Sequence, residues 1–419
     1  MTLWQYLKEK IKYYDNKIAF ANSGITYKDI YSFYEKNTEK NSLELCEGAT
    51  KEELAVNILK CIASGKTAVP VTREYGEKNY DYVRKIVSDT NNKEIDPDLA
   101  FVMFTSGTGG KPKGVMLTHK NIISNLEYIN SYFDTNGAET ICIGRPLVHI
   151  AVLTGELLFA LCHGKKIYFY EESFMPRRML SYFEKNKIEI FCATPTLYAI
   201  LSSENKGKKT TLKTGVISGE ILQATTAIRI ANSFPDVKFY SVYGLTEHSP
   251  RVSALLPCDF IRKAGSVGKP IGDVNIKIVG GELAVKSDSV MLGYYNDIER
   301  TTAKINGGWL YTGDRARFDS EGYLYIEGRN DGMLIRSGIN IYPEEIENAV
   351  RKCGEVTDCV VYGEKNEKGT IIRLKYTGNI DESELRKRLV HLLNRNVIPD
   401  KIEKVTIIAR TASGKKKRI

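Results

Sequence analysis

The chain of 419 residues holds eight cysteines, yet has no CxxC pair and no Cys/His spacing of a metal site. Several of the cysteines sit inside apolar segments, as Cys192 does in IEIFCAT. They read as buried reduced thiols, which excludes a disulfide framework and a zinc site. No apolar run approaches the roughly 18 residues that a membrane span needs. The longest candidate, AVLTGELLFALC, is short and carries Glu156. At the amino terminus, MTLWQYLKEKIKYYDNKIAF reads as an amphipathic helix interrupted by charge, without the continuous apolar region of a signal peptide. The expectation is a soluble, cytoplasmic protein with no membrane insertion. Zinc-finger and RNA-binding aromatic signatures are missing too, as are repeats and low-complexity segments. The net charge of +9, concentrated toward the KKKR end, therefore points away from nucleic acid and leaves a solvated basic tail or an acidic or phosphorylated ligand.

What is present is an alternation of strand-like and helix-like segments. KIYFY at 166–170 and IEIFCA at 188–193 read as buried strands joined by an amphipathic stretch at 176–186, and 214–220 and 237–244 repeat the theme. That spacing predicts α/β layers with largely parallel sheets, whose ligands bind beyond the carboxyl ends of the strands. From about 270 the pattern changes to short alternating strands, VNIKIV, ELAVK and YLYIEG. After the turn GRNDG a compact α+β unit follows: helix 344–352, strands near 356–362 and 370–377, helix 381–395 and a strand near 402–409. The predicted fold class is α/β. A large N-terminal domain of layered βα subdomains with a small antiparallel β unit (1–328) precedes a hinge (329–332). A small, mobile C-terminal α+β domain (333–419) completes the chain.

One stretch asks for chemistry. FVMF at 101–104 is a short apolar strand, TSGTGGKPKG the turn after it, and Thr118 an N-cap for a helix at 119–133, with Leu117 and Ile122 placed as a hydrophobic staple. Glycines let backbone N–H groups form a concave nest for an anion, hydroxyls donate further bonds and lysines add charge, so the loop suits a polyphosphate. It is not the G-x-x-x-x-G-K-[ST] loop of kinases and GTPases, because Val115 follows Gly114 and Pro112 lies inside.

Four more segments follow in order: YSVYGLTE at 240–247, GGWLYTGD at 307–314, GRNDGMLIRSGINIYPEEIE at 328–347 and TASGKK at 411–416. With TSGTGGKPKG they resemble the AMP-forming adenylating enzymes: acyl- and aryl-CoA ligases, adenylation domains of nonribosomal peptide synthetases, and luciferases. The GxNIYPxEIE form is closest to the acyl- and aryl-CoA ligases. ILKCIASGKTAVPV at 58–71 matches an early helix–strand unit of that family more weakly.

The resemblance implies a two-step reaction in which a carboxylate attacks the α-phosphorus of ATP and the acyl-AMP then reacts with a thiol. It assigns Thr105, Ser106, Gly107, Thr108 and Gly109 to the β/γ-phosphates, Thr246 to the α-phosphate and Glu247 to Mg²⁺. Tyr243 would stack on adenine, Gly219 and Glu220 run along the purine, and Asp314 with Arg329 hold the ribose. Lys415 would be the catalytic lysine, Lys416 and Lys417 decoys, and Asp331 the hinge. RPLVHIAVLTG at 145–155 resembles the segment lining the acyl pocket, with His149 where amino-acid-activating relatives carry an aspartate, and the SVYG segment with Gly244 supplies further wall. Without that aspartate an α-ammonium would lose its partner on burial, so an unaminated acid, aryl or fatty, is expected. CoA is the favoured thiol. The alternatives are a stand-alone enzyme loading the phosphopantetheine arm of an acidic acyl or peptidyl carrier protein, and a non-catalytic nucleotide-binding scaffold.

Overall fold

The computed structural model describes residues 1–33, 42–73, 77–90, 95–105, 112–135, 137–332, 334–336, 339–366, 369–410 and 416. These divide into two compact units. The first comprises Met1–Lys277, Ala284–Thr312 and Phe318–Tyr325, and the second Ile278–Leu283, Gly313–Arg317 and Ile326–Ile419.

The first unit carries two mixed sheets. In the larger, the strands Lys166–Phe169, Thr140–Ile143, Ile190–Ala193, Thr214–Ile217 and Lys238–Gly244 lie parallel in that spatial order. Arg251–Leu255 and Lys269–Pro270 then extend it antiparallel. Ile190–Ala193 and Thr214–Ile217 are buried throughout, as strands covered on both faces must be, which is why they read as unbroken apolar runs. Helices Pro176–Asn186, Pro195–Asn205 and Ala224–Ser233 fill the crossovers, two of them opening on proline, whose missing N–H is harmless in a first turn. Phe183, Phe191, Tyr198, Phe234 and Phe239 meet in the resulting core.

The smaller sheet runs Leu43–Cys46, Thr67–Pro70, Leu99–Thr105, Lys113–Thr118 and Gly293–Tyr294, with only its first two pairings parallel. Helix His119–Tyr132 leaves it through Thr118, whose hydroxyl accepts from Asn121 N while Asn121 returns a bond to the cap N–H. That reciprocal pair fixes the helix start at the predicted residue. The cysteines are all free and seven are buried; Cys258 is the exposed exception.

The second unit holds helix Pro343–Arg351 and the antiparallel pair Val356–Asn366 and Gly369–Gly378, joined in parallel by Lys401–Lys404. Ile346, Val350, Val361, Leu374 and Leu385 form its core. Helix Glu382–Leu392 stops three residues short of the expected end, since Leu393 turns extended (φ −126°, ψ 150°). Among the described residues no helix is long and apolar enough to cross a membrane.

Candidate active site

Thr105 ends its strand opposite Lys113, so that pairing brings together the two ends of the glycine-rich segment. The Thr105 hydroxyl oxygen is buried and lacks a hydrogen-bond partner among the described residues. Ser106, Gly107, Thr108 and Gly109 lie outside the described residues. Lys113 reaches across to Glu247, with Nζ 2.9 Å from Oε1 and 3.2 Å from the Tyr294 hydroxyl, and that hydroxyl donates to the same Oε1 at 2.7 Å. Burial pushes the Glu247 carboxyl up, but the Lys113 ammonium and the Tyr294 hydroxyl outweigh it and hold the group below its ordinary range. Glu247 is therefore a carboxylate at neutral pH.

Glu247 sits on the short turn Thr246–His248, which begins two residues after strand Lys238–Gly244 ends. The turn is braced from behind. Asn125 donates to the carbonyls of His248 (3.2 Å) and Arg251 (3.0 Å) and accepts from Arg251 N. His248 Nδ1 lies 2.9 Å from the Arg251 carbonyl, so that nitrogen carries the proton, and Ser287 Oγ, 2.8 Å from Nε2, donates to the other. Burial lowers the His248 pKa to about 4. In front, Met291 N donates to the Glu247 carbonyl and Tyr295 N to that of Gly114, stitching the turn to the strand Lys113–Thr118.

The other predicted residues of this unit lie at the same strand ends. Tyr243 is half-buried on the last stretch of its strand, and Thr246 half-buried on the turn. Gly244 admits no side chain, because a Cβ would fall 2.1 Å from the Pro250 carbonyl oxygen. Gly219 (φ +91°) follows strand Thr214–Ile217, and Glu220 Oε2 accepts from the Thr196 hydroxyl at 2.6 Å at the start of helix Pro195–Asn205. His149 is half-buried and begins the helical run at Ile150; it makes no side-chain capping bond.

In the second unit Asp314 is buried, with Oδ1 3.5 Å from Arg329 Nη1, so the two residues assigned to ribose do meet. Asp331 lies on the turn Asn330–Gly332, its side chain outside the described residues, as is Lys415. Lys416 is engaged structurally: its Nζ lies 2.6 Å from Asp358 Oδ1 and 2.6 Å from the Cys359 carbonyl.

Sequence reasoning missed Lys113 and Tyr294 as individual site residues. Lys113 could have been singled out from KPKG; Tyr294 reaches the site through a two-residue strand that leaves no local pattern. The donor set of Glu247, the Thr246 hydroxyl and the orphaned Thr105 hydroxyl is made of hard oxygens, which fits Mg²⁺ with phosphate better than a soft metal. Among the described residues no group of three or more metal-ligating side chains gathers.

A family model described as AMP-binding enzyme matches residues 25–295. The feruloyl-CoA synthase of Amycolatopsis sp is 30% identical over 337 residues, covering 76% of this chain and 68% of that protein. The long-chain-fatty-acid–CoA ligase of Bacillus subtilis is 33% identical over 294 residues, 64% of this chain and 51% of its own length. For the acyl-CoA ligase sidI of Aspergillus fumigatus the identity is 34% over 270 residues, 60% of this chain and 46% of that one. The chain thus spans from about half to about two thirds of these relatives. Among solved structures, o-succinylbenzoate CoA synthetase from Bacillus subtilis in complex with AMP superposes with a TM-score of 0.80 at 22% identity, over 100% of this chain and 97% of that one. The amide bond synthetase McbA from Marinactinospora thermotolerans gives 0.84 at 20%, over 99% and 98%. The fold is theirs, and by the family model and the feruloyl-CoA synthase match this chain belongs to the AMP-binding enzymes, the AMP-forming adenylating family.

Proposed function

We propose that the chain activates a carboxylic acid with ATP and passes the acyl group to a thiol. The observation that carries this reading is the Lys113–Glu247–Tyr294 cluster beside the unpartnered Thr105 hydroxyl, at the mouth of the glycine-rich segment. A lysine and hydroxyl donors there suit phosphate oxygens, and a carboxylate held ionised suits their counter-ion. Thr105 to Gly109 and Lys113 would hold the β/γ-phosphates, and Thr246 the α-phosphate. Glu247 with Thr246 would hold Mg²⁺, which when bound neutralises charge on the triphosphate.

The acid's carboxylate oxygen bonds to the α-phosphorus as the bond to the bridging oxygen breaks, and pyrophosphate leaves with that electron pair. Thiolate sulfur then bonds to the acyl carbon, and AMP departs with the carboxylate-derived oxygen. Tyr243, Gly219 and Glu220 orient the base, Asp314 and Arg329 the ribose, and Lys415 places its ammonium between carboxylate and α-phosphate. Domains of 1–328 and 333–419 about Asp331 would let that lysine withdraw before the thiol arrives. The acid is unaminated, aryl or fatty, bound along His149 and Gly244; the thiol is CoA, in keeping with the relatives' names. Pyrophosphate release, measured with ATP and a panel of acids, is expected to require an acid. Thioester should then form with free CoA. Thioester only on a phosphopantetheinylated carrier would replace CoA as acceptor, and acid-independent release would refute the proposal.

A further inference from the structure

Beside Gly219 and Gly244 lies a group of buried charges that the reaction above does not use. Arg145 Nη2 is 2.6 Å from Oε1 of Glu156, a fully buried carboxylate, and Nη1 donates to Ser218 Oγ at 3.1 Å. Nη1 also lies 3.9 Å from where a Cβ on Gly219 would be. Arg251, only 3% exposed, pairs with Gly244 across the sheet. Its guanidinium occupies the space above Gly155, where a Cβ would come 2.7 Å from Nη2. Gly155 and Glu156 belong to a π-helical stretch, Leu153–Leu158, a distortion frequent at functional sites.

The cluster is incomplete in two ways. Its two arginines face one carboxylate; Tyr132, which hydrogen-bonds Arg251, and the Cys142 and Cys192 thiols are pushed further up by burial, so none of them supplies a second anion. Arg145 Nε and Glu156 Oε2 are buried without hydrogen-bond partners among the described residues. A cluster serving only to hold the fold would leave neither a surplus buried cation nor two unmet polar atoms in one ion pair. An anion brought by a ligand would balance the surplus cation and accept from Arg145 Nε; Glu156 Oε2, itself an acceptor, would take a donor instead.

We propose that this cluster forms the far wall of the acid-binding pocket, and that Arg251 with Arg145 selects acids bearing a second carboxylate at the end remote from the reacting one. This rests on the proposed acid activation and narrows its substrate class. A plain alkyl or aryl end would leave the surplus charge and the Arg145 Nε donor buried against hydrocarbon. Sites built to bond a polar group reject analogues lacking it by large factors, here about 10²-fold or more in kcat/KM.

The test compares straight-chain monoacids with α,ω-diacids of equal length, and benzoate with its carboxylated analogues, by pyrophosphate release and by calorimetric ATP binding. Wild type is expected to favour the diacids about 10²-fold. Arg251→Met should erase that preference while binding ATP normally. Gly155→Ala, which displaces the guanidinium without removing it, should raise the diacid KM more than it lowers kcat, and it carries the test if the arginine variant does not fold. Release with monoacids alone, or an unchanged preference in the variants, overturns the inference and leaves acid activation standing. Release with no acid in either series overturns both.

Discussion

At the scale of single residues, Glu247 is decided by a contest between burial and pairing. Leaving Glu247 without Lys113 would strand a buried carboxylate, and a hydrogen bond to a charged group contributes about 1.5–3 kcal/mol. Lys113→Met is therefore expected to raise the KM for ATP by roughly tenfold or more, measured by steady-state pyrophosphate release; an unchanged KM would remove Lys113 from the phosphate site. The two neighbouring lysines separate by role. Lys415→Ala should lower acid-dependent release by about 10² or more while ATP still binds. Lys416→Ala, which loses the contact with Asp358, should instead lower the melting temperature and spare turnover. Lys415 lies outside the described residues. The place of Glu247 just past the end of a buried strand was legible because YGLTE closes an apolar run. Tyr294 was not, because its place beside Lys113, 181 residues away in sequence, depends on strand pairing that no local pattern encodes.

At the scale of elements, the turn Thr246–His248 is held by groups behind it. Asn125 alone satisfies three backbone groups of that loop, so Asn125→Ala is expected to cost about 2–4 kcal/mol in denaturant unfolding. His248 gives the turn a pH dependence. Its folded pKa, about 4, lies below its ordinary 6.5. Its contribution is thus complete above pH 6.5 and fades as pH falls toward 4, reaching a loss of about 3 kcal/mol. Melting curves should show this fall in the wild type and a flatter profile in His248→Gln. The buried parallel strands and the Thr118-capped helix were readable, since unbroken apolar runs and a capping residue are local signals. The π-helical stretch at Leu153–Leu158 and the strand Gly293–Tyr294 were not; one differs from an α-helix only in hydrogen-bond spacing, and the other is two residues long.

For the whole molecule, alternation of strands and helices announced an α/β protein, and the change of pattern past 270 announced a second kind of structure. The second unit also takes in Ile278–Leu283 and Gly313–Arg317, distant segments whose membership depends on tertiary pairing. The proposed division of labour makes Asp331→Pro informative, since proline fixes φ where a hinge must rotate. Pyrophosphate release should stay within about tenfold of wild type while thioester formation slows more; equal slowing of both steps would argue against a hinge there. The central claim is that the acid's own oxygen attacks the α-phosphorus. The most direct measurement turns over an acid labelled with oxygen-18 in its carboxylate and weighs the products. The account predicts one labelled oxygen in AMP and none in pyrophosphate; label in pyrophosphate or inorganic phosphate, with none in AMP, would contradict it.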